Sequence, residues 1–265
     1  MQTIRKYAAT ARLCALGVFD GSLLPVMSEY AVRLLQLTVL LLIWRALAAE
    51  GADLGGMSLP QLLTYTLMAS ILRQQLEIVT PATSALWEGS IVGRYLRPVS
   101  LLGGLAAETV GRWWIPVFLF YSLPVCLLAP FFGISPLPAS PSAAAAFLLS
   151  LSLSVSLGFA LDFIFASLAI RMKNGCWAAN DIREAVTALF TGALIPFSLM
   201  PTSAGRILSL LPTGSIASAP LLIYAGAAQN VPRLLFLQLF WNVVLWPLSL
   251  WAFHKSEERM ISYGG

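Results

Sequence analysis

Apolar residues run through this chain in long, nearly unbroken stretches, not in the one-faced alternation of a soluble helix. A bilayer core needs about 20 mostly apolar residues per helix, and six stretches meet or approach that length: about 23–47, 59–79, 113–132, 143–170, 185–200 (the shortest) and 234–253. The first is densest at LLQLTVLLLIW. The pattern predicts an all-α integral membrane protein with six transmembrane helices, residues 1–265 forming a single transmembrane domain. Residues 1–22 lack a continuous apolar core of signal-peptide length. On a helix they gather Ile4, Tyr7, Ala8, Ala11 and Ala15 on one side and Arg5, Lys6 and Arg12 elsewhere, the pattern of a helix lying in the membrane interface.

Composition supports this. The chain is 58% hydrophobic and 11% charged, with a mean hydropathy of +0.80, where soluble domains run at about 45–50% and about 25%. Trp44, Trp87, Trp113, Trp114, Trp177 and Trp251 fall near the predicted span ends, where amphipathic rings belong. The net charge of +4 tells less than where the cations sit. With both termini in the cytoplasm, eleven of the sixteen Lys and Arg residues lie on the cytoplasmic side and only Arg206 and Arg233 in outer loops; Arg33, Arg45 and Arg73 lie within spans. That bias orients the bundle with both ends inside, a multi-pass protein of the cytoplasmic (inner) membrane with the lipid bilayer, not a nucleic acid, as its partner.

Most catalytic chemistry is excluded. The three lysines, Lys6, Lys173 and Lys255, follow no glycine, so the GxxxxGK(S/T) loop that wraps phosphates is absent. His254 is the one histidine, and Cys14, Cys126 and Cys176 lie in three separate segments without a CxxC, so no metal site or disulfide framework is expected. The serines at 150, 152, 154 and 156 are not a nucleophile motif; on a helix their hydroxyls are expected to bond back to carbonyls one turn earlier.

Three charged features stand out. Asp162 falls well inside the fourth span, where a carboxylate costs a few kcal/mol and must face the bundle interior or a wet cavity. Four-residue steps place it on a stripe with Ser154, Gly158 and Ala166, small residues that let a neighbouring helix approach. It reads either as a proton or cation relay or as a buried pair with an arginine such as Arg33 or Arg73. Glu29/Arg33 and Arg73/Glu77 each sit at i, i+4, positioned to pair along one helix face.

Two connections carry most information. Residues 80–104, TPATSALWEGSIVGRYLRPVSLLGG, predict a short cytoplasmic helix from about Ser84 to Leu96, ended by the restriction Pro98 places on Arg97. It would present Trp87, Ile91 and Tyr95 at four-residue spacing, flanked by Arg94 and Arg97: a ridge suited either to docking a partner or to resting on lipid headgroups. Residues 201–232 are apolar yet broken by Pro201, Pro212, Pro220 and Pro232, predicting two short helices that dip into the outer leaflet where protein satisfies their broken backbone.

The phrase GSIVGRYLRPVS resembles the "G-x-I-x-x-x-L-x-R-P" stretch of membrane subunits of ATP-binding-cassette (ABC) transporters of the type 2 exporter class. TGALIPFSLMPTSAGRILSLLPTGSIASAPLLIYAG resembles their "G-x-x-I-P-x-x-x-x-P … L-P-x-x … P … Y-x-G" region, in matching order. The resemblance covers essentially the whole chain and implies a six-span permease with a separate ATPase subunit. It implies that the helix with Gly89, Leu96, Arg97 and Pro98 is the coupling helix. Gly192, Pro196 and Pro201 would shape the outer end of the fifth span, and Leu211, Pro212, Pro220, Tyr224 and Gly226 the re-entrant outer gate. The turn at 171–183 would touch the ATPase a second time. Two ATPase copies would carry ATP and Mg, none binding on this chain, and a second permease chain, related or identical, would complete the path. Export is the implied direction. Asp162 departs from the aromatic-rich fourth span the resemblance implies, and leaves a rival open: a secondary transporter using Asp162 as its ion or proton site, which predicts inverted repeats and interrupted midplane helices.

Overall fold

In the computed structural model of the chain, residues 2–19, 23–87, 90–171 and 176–262 are described. The fold is all-helical, with 81% of it in helix and no strand among the described residues. The helices are α1 (Gln2–Phe19), α2 (Leu23–Ala49), α3 (Leu59–Ile71), α4 (Arg73–Leu76), α5 (Ala82–Trp87), α6 (Ile91–Tyr95), α7 (Leu101–Phe132), α8 (Pro141–Arg171), α9 (Cys176–Phe190), α10 (Thr202–Leu210), α11 (Pro212–Tyr224) and α12 (Val231–Ser262). Among the described residues, four are long and apolar enough to cross a bilayer, within α2, α7, α8 and α12. The pair α10/α11, bent by 101°, makes five if it counts as one span.

The helices run back and forth between two ends. One, the basic end, gathers α1, the described residues of 76–112 and the end of α8. The other, the far end, gathers the connections at 50–58, 133–140 and 191–200 with the residues after α11. There Tyr224 Oη donates to the Pro136 carbonyl (2.5 Å), Ala139 N–H to Tyr224 O (3.1 Å) and Gln61 Nε2 to Gly226 O (2.9 Å).

α8 is the axis of the bundle and packs along α12 and α11. Its small-residue stripe is buried as the spacing predicts: Ser154, Asp162 and Ala166 are at most 1% exposed, and a Cβ on Gly158 would stand 3.0 Å from Ile78. The serine row differs from expectation. Ser152 bonds back to Leu148 O (2.8 Å), but Ser150, Ser154 and Ser156 are engaged by α12. Fully buried Gln238 accepts from Ser150 Oγ (2.9 Å) and donates to Ser154 Oγ (2.8 Å) and Ser215 O (2.8 Å), while Trp246 Nε1 donates to Ser156 Oγ (2.8 Å). Facing polar groups at this depth have no water to turn to, so they satisfy one another across helices.

Three predicted spans change their bounds. The third begins at Leu101, with Ser100 Oγ accepting from Gly103 N–H (3.3 Å), so Trp113 and Trp114 lie well inside the helix. Glu108 and Arg112 look like loop residues to a hydropathy reading. In α7, however, Glu108 is paired with Arg94 (2.6 Å) and Arg112 lies over the Trp113 ring (5.3 Å). Pro116 and Pro124 cannot donate to the carbonyls four residues back, and the ladder widens to π-turns at Val110–Trp114 and Phe118–Ser122 just before them. The second, 59–79, is 13 residues of α3 and one turn of α4, broken at Leu72. The fifth, 185–200, is not a helix of spanning length: α9 starts at Cys176 and ends at Phe190, and Gly192 (φ +74°) turns the chain into an irregular run. The turn expected over 171–183 is accordingly helical from Cys176 onward, and residues 172–175 lie outside the described residues. Hydropathy windows read Asp181, Arg183 and Glu184 as loop, but Ala and Glu favour helix and burial of Arg183 is compensated, as shown below.

α1 lies against α7, with Tyr7 Oη 2.9 Å from Ser100 Oγ and Lys6 Nζ 3.4 Å from the Pro98 carbonyl. The approach is close enough that a Cβ on Gly111 would stand 2.1 Å from the Ala11 carbonyl. The face α1 turns inward is Tyr7, Ala11, Cys14 and Ala15. Ile4 is 74% exposed and Ala8 is exposed, contrary to the face expected from apolarity alone. Backbone proximity selects small residues here, and Ile4 lies beyond the contact. Burial pushes the Cys14 thiol above its ordinary pKa.

Candidate functional site

Three features could carry function: a surface tip at the basic end, a buried charge cluster behind it, and a cleft running from that cluster toward the far end.

The tip is the segment 95–98. Tyr95 is 53% and Leu96 87% exposed, and Arg97 and Pro98 are exposed as well. Its base is rigid. Arg94 makes a two-pronged pair with Glu108 (2.6 and 3.3 Å), and Ile91 is sunk at 1% exposure among Ala82, Ala85, Leu105 and Phe163. The segment is thus not the single helix over 84–96 that the sequence predicts, but α5 and α6, with residues 88–89 outside the described ones. Gly89 falls there, and Trp87 is described only by its backbone. Ile91 and Arg94 leave the expected docking ridge, because one serves the core and the other is held by Glu108.

Asp162 is found neither with Arg33 nor with Arg73. Its Oδ1 accepts from Arg183 Nη1 (2.9 Å) and its Oδ2 from both the backbone N–H (3.2 Å) and the hydroxyl (2.5 Å) of Thr80. Thr80 Oγ1 in turn accepts from Ala82 N–H (3.2 Å) at the start of α5. Asp162 is 1% and Arg183 5% exposed. One carboxylate therefore ties α8, α9 and the strap leading to the tip. Sequence reasoning missed the partner because it placed Arg183 in a turn.

Both i, i+4 pairs form: Arg33 with Glu29, and Arg73 Nε with Glu77 (3.0 Å). They line a cleft between α2, the α3/α4 pair and α9. The chamber nearer the basic end holds about 430 Å³ and is bounded by Glu29, Gln74, Arg183, Glu184 and Thr187; an adjoining chamber of about 500 Å³ is bounded by Leu37, Leu40, Ala69, Ala193 and Leu194. Arg33, Gln36, Arg73 and Glu77 border both. Only one stripe of α2 is buried (Tyr30, Arg33, Leu37, Trp44), while Val32, Leu35, Val39, Leu42 and Ile43 are exposed beside the cleft. Among the described residues, no cluster of three His, Cys, Asp or Glu could hold a metal ion.

Leu211 is extended and Pro212 opens α11, which sets the bend against α10. Nearly all of α11 is buried despite Pro220 in its interior. Its broken backbone is met by protein: Ser218 N–H donates to Thr191 O (3.1 Å), and Gln238 reaches Ser215 O. Tyr65 Oη donates to Gly192 O (2.6 Å), and Pro196 is buried beside Phe197. Gly192 and Pro196 lie with the start of α11 around Phe197, whereas Tyr224 and Gly226 stand at the other end of that helix beside Pro136 and Ala139, and Pro201 opens α10 at an exposed position.

A sequence model of the family described as "ABC-2 family transporter protein" matches residues 34–264. The chain belongs to the ABC-2 transporter family. No curated protein and no solved structure matches it. As an ABC-2 protein it is a multi-pass membrane permease component of an ABC transporter, not a nucleotide-binding ATPase domain, and the family associates with ABC ATPase subunits.

Proposed function

We propose that this ABC-2 permease is one half of the translocation path of an ATP-driven exporter in the cytoplasmic (inner) membrane. The basic end faces the cytoplasm, as the distribution of Lys and Arg favours, and both termini lie there. The chain crosses six times. α2, α7, α8 and α12 cross as long helices; residues 59–76 cross as an interrupted, largely buried segment, and residues 176–200 as a second interrupted one. The sharply bent α10/α11 pair is the re-entrant outer gate, with Gly192, Pro196, Pro201, Leu211, Pro212, Pro220, Tyr224 and Gly226 shaping it. A second permease chain, related or identical, covers the exposed face of α2. Two ATPase subunits hold ATP and Mg and dock at the cytoplasmic face.

The observation that carries this reading is the tip at 95–98: an exposed Tyr-Leu-Arg-Pro on a base locked by Arg94–Glu108 and buried Ile91. A projecting apolar side chain beside a cation on a stiff support transmits force to whatever cleft receives it. Nucleotide binding that favours closed ATPases moves the tip as a rigid body. The strap from Thr80 through Asp162 to Arg183 passes that movement to α8 and α9. Far-end connections are short and packed, leaving no substrate-binding domain there, and this favours export.

Placing the photoreactive amino acid benzoylphenylalanine at Leu96 in native membranes tests the reading. Irradiation is expected to yield an adduct with a P-loop ATPase. Adducts with lipid alone would make the segment an interfacial helix and contradict the docking role. The rival, a secondary transporter with Asp162 as its ion site, has one observation behind it, the depth of that carboxylate; the three donors that fill its oxygens weigh against it.

A further inference from the structure

The cleft between α2, α3/α4 and α9 has a polarity gradient. Toward the basic end its walls are charged; beyond the shared charged residues, Leu37, Leu40, Ala69, Ala193 and Leu194 predominate, with Thr66 and Ser70 among them. Each chamber falls in the range of about 300–1,000 Å³ usual for small-molecule sites. Where the chambers adjoin sits Arg33, 7% exposed. Its Nη2 donates to Glu29, but its Nη1 is buried and has no acceptor. A buried cationic N–H without an acceptor costs free energy that a ligand can recover.

The sign of the missing group follows from depth. Glu29 already accepts from Arg33, and Glu77 from Arg73. The Arg33 side chain is 8% exposed, whereas that of Glu29, at 47%, lies at the rim, and Arg183 is neutralised by Asp162. The group left wanting a partner is the Arg33 donor. An apolar chamber opens directly beyond it.

We infer that this cleft is a binding site for an anionic amphiphile, its phosphate or carboxylate head accepting from Arg33 and its alkyl body lying along Leu37, Leu40 and Ala69. The site stands on the cleft's geometry; that its occupant is the exporter's cargo rests on the proposed function.

The test uses the permease with whatever subunits co-purify, in phosphatidylcholine nanodiscs, and a diazirine-bearing dodecyl phosphate as probe. Mass spectrometry of the irradiated protein is expected to place label on segments 33–40, 66–73 and 193–194. Dodecyl phosphate is expected to compete, while inorganic phosphate and dodecyltrimethylammonium do not. Arg33→Gln is expected to lower site labelling about tenfold, the loss of one charge-assisted hydrogen bond. Ala193→Phe, which fills the apolar chamber without touching a charge, is expected to lower it as well, and this keeps the test decisive where Arg33→Gln fails to fold. Label spread evenly over the lipid-facing helices, equal competition by the cationic amphiphile, or undiminished labelling in either folded variant would overturn the site. Competition by inorganic phosphate alone would keep the anion and overturn the amphiphile. Labelling in a preparation free of any ATPase would uphold the site and remove its role in ATP-driven export.

Discussion

The Arg183→Met variant is expected to lose about 3–5 kcal/mol of stability, because it leaves Asp162 sealed from solvent without its cation and held only by Thr80. Asp162→Asn is expected to cost less. Its amide oxygen can still accept from Thr80 or from Arg183. The double variant Asp162→Leu/Arg183→Met removes both charges and is expected to recover much of the loss, since two buried ions are exchanged for packed carbon. Thermal unfolding of the three variants in detergent, closed into a double-mutant cycle, measures the coupling directly. A relay role predicts a different ordering: Asp162→Asn would fold normally yet abolish transport or shift its dependence on external pH. An unchanged rate and pH profile per folded molecule in Asp162→Asn is the outcome expected of a structural tie.

The second large effect concerns the tip. Leu96→Asp/Arg97→Glu places two carboxylates where an apolar knob and a cation project, and is expected to reduce ATP-driven transport by at least about tenfold while leaving thermal stability nearly unchanged. Each residue is solvent-exposed, and surface substitutions away from caps and pairs shift stability by about 0.5 kcal/mol or less. Loss of transport with intact folding separates docking from core packing. Ile91→Ala serves as the contrast: this residue is 1% exposed, so its truncation is expected to act through stability, at about 2–5 kcal/mol. Transport at the original level in the double variant would show that the tip bears no load.

Much of the architecture was written in the residue pattern because long apolar runs admit one structure in a bilayer. α2, α8 and α12 lie close to where hydropathy places them, and the breaks at Pro201 and Pro212 foretell the bent pair. The pattern failed where charge is compensated by a residue distant in sequence. Hydropathy reads Arg183, Glu108 and Arg112 as loop, yet each sits in a helix: Arg183 and Glu108 have ion partners on other segments, and exposed Arg112 lies over the neighbouring Trp113 ring. Asp162 was legible as a buried charge, but its partner was not, since pairing it with Arg183 requires knowing that α9 begins at Cys176. The Gln238 cluster had a signal that went unused. Gln238, Asn242 and Trp246 repeat at four-residue steps, matching the spacing of Ser150 and Ser154 on the helix they face. At the tip, the sequence marks Tyr95, Leu96, Arg97 and Pro98 together with Ile91 and Arg94, and only the structure separates the four exposed residues from the two it turns inward.

The claim on which the rest depends is that this chain works as a permease driven by separate ATPases. Purification from its native membrane in gentle detergent, followed by intact mass of the complex, tests it most directly. Two copies of a P-loop ATPase bound to two permease chains is the expected composition, and the two permease masses will show whether those chains are identical. A stable lone chain or simple homodimer, free of any ATPase, would contradict the account and bring Asp162 forward as the ion site of a secondary transporter.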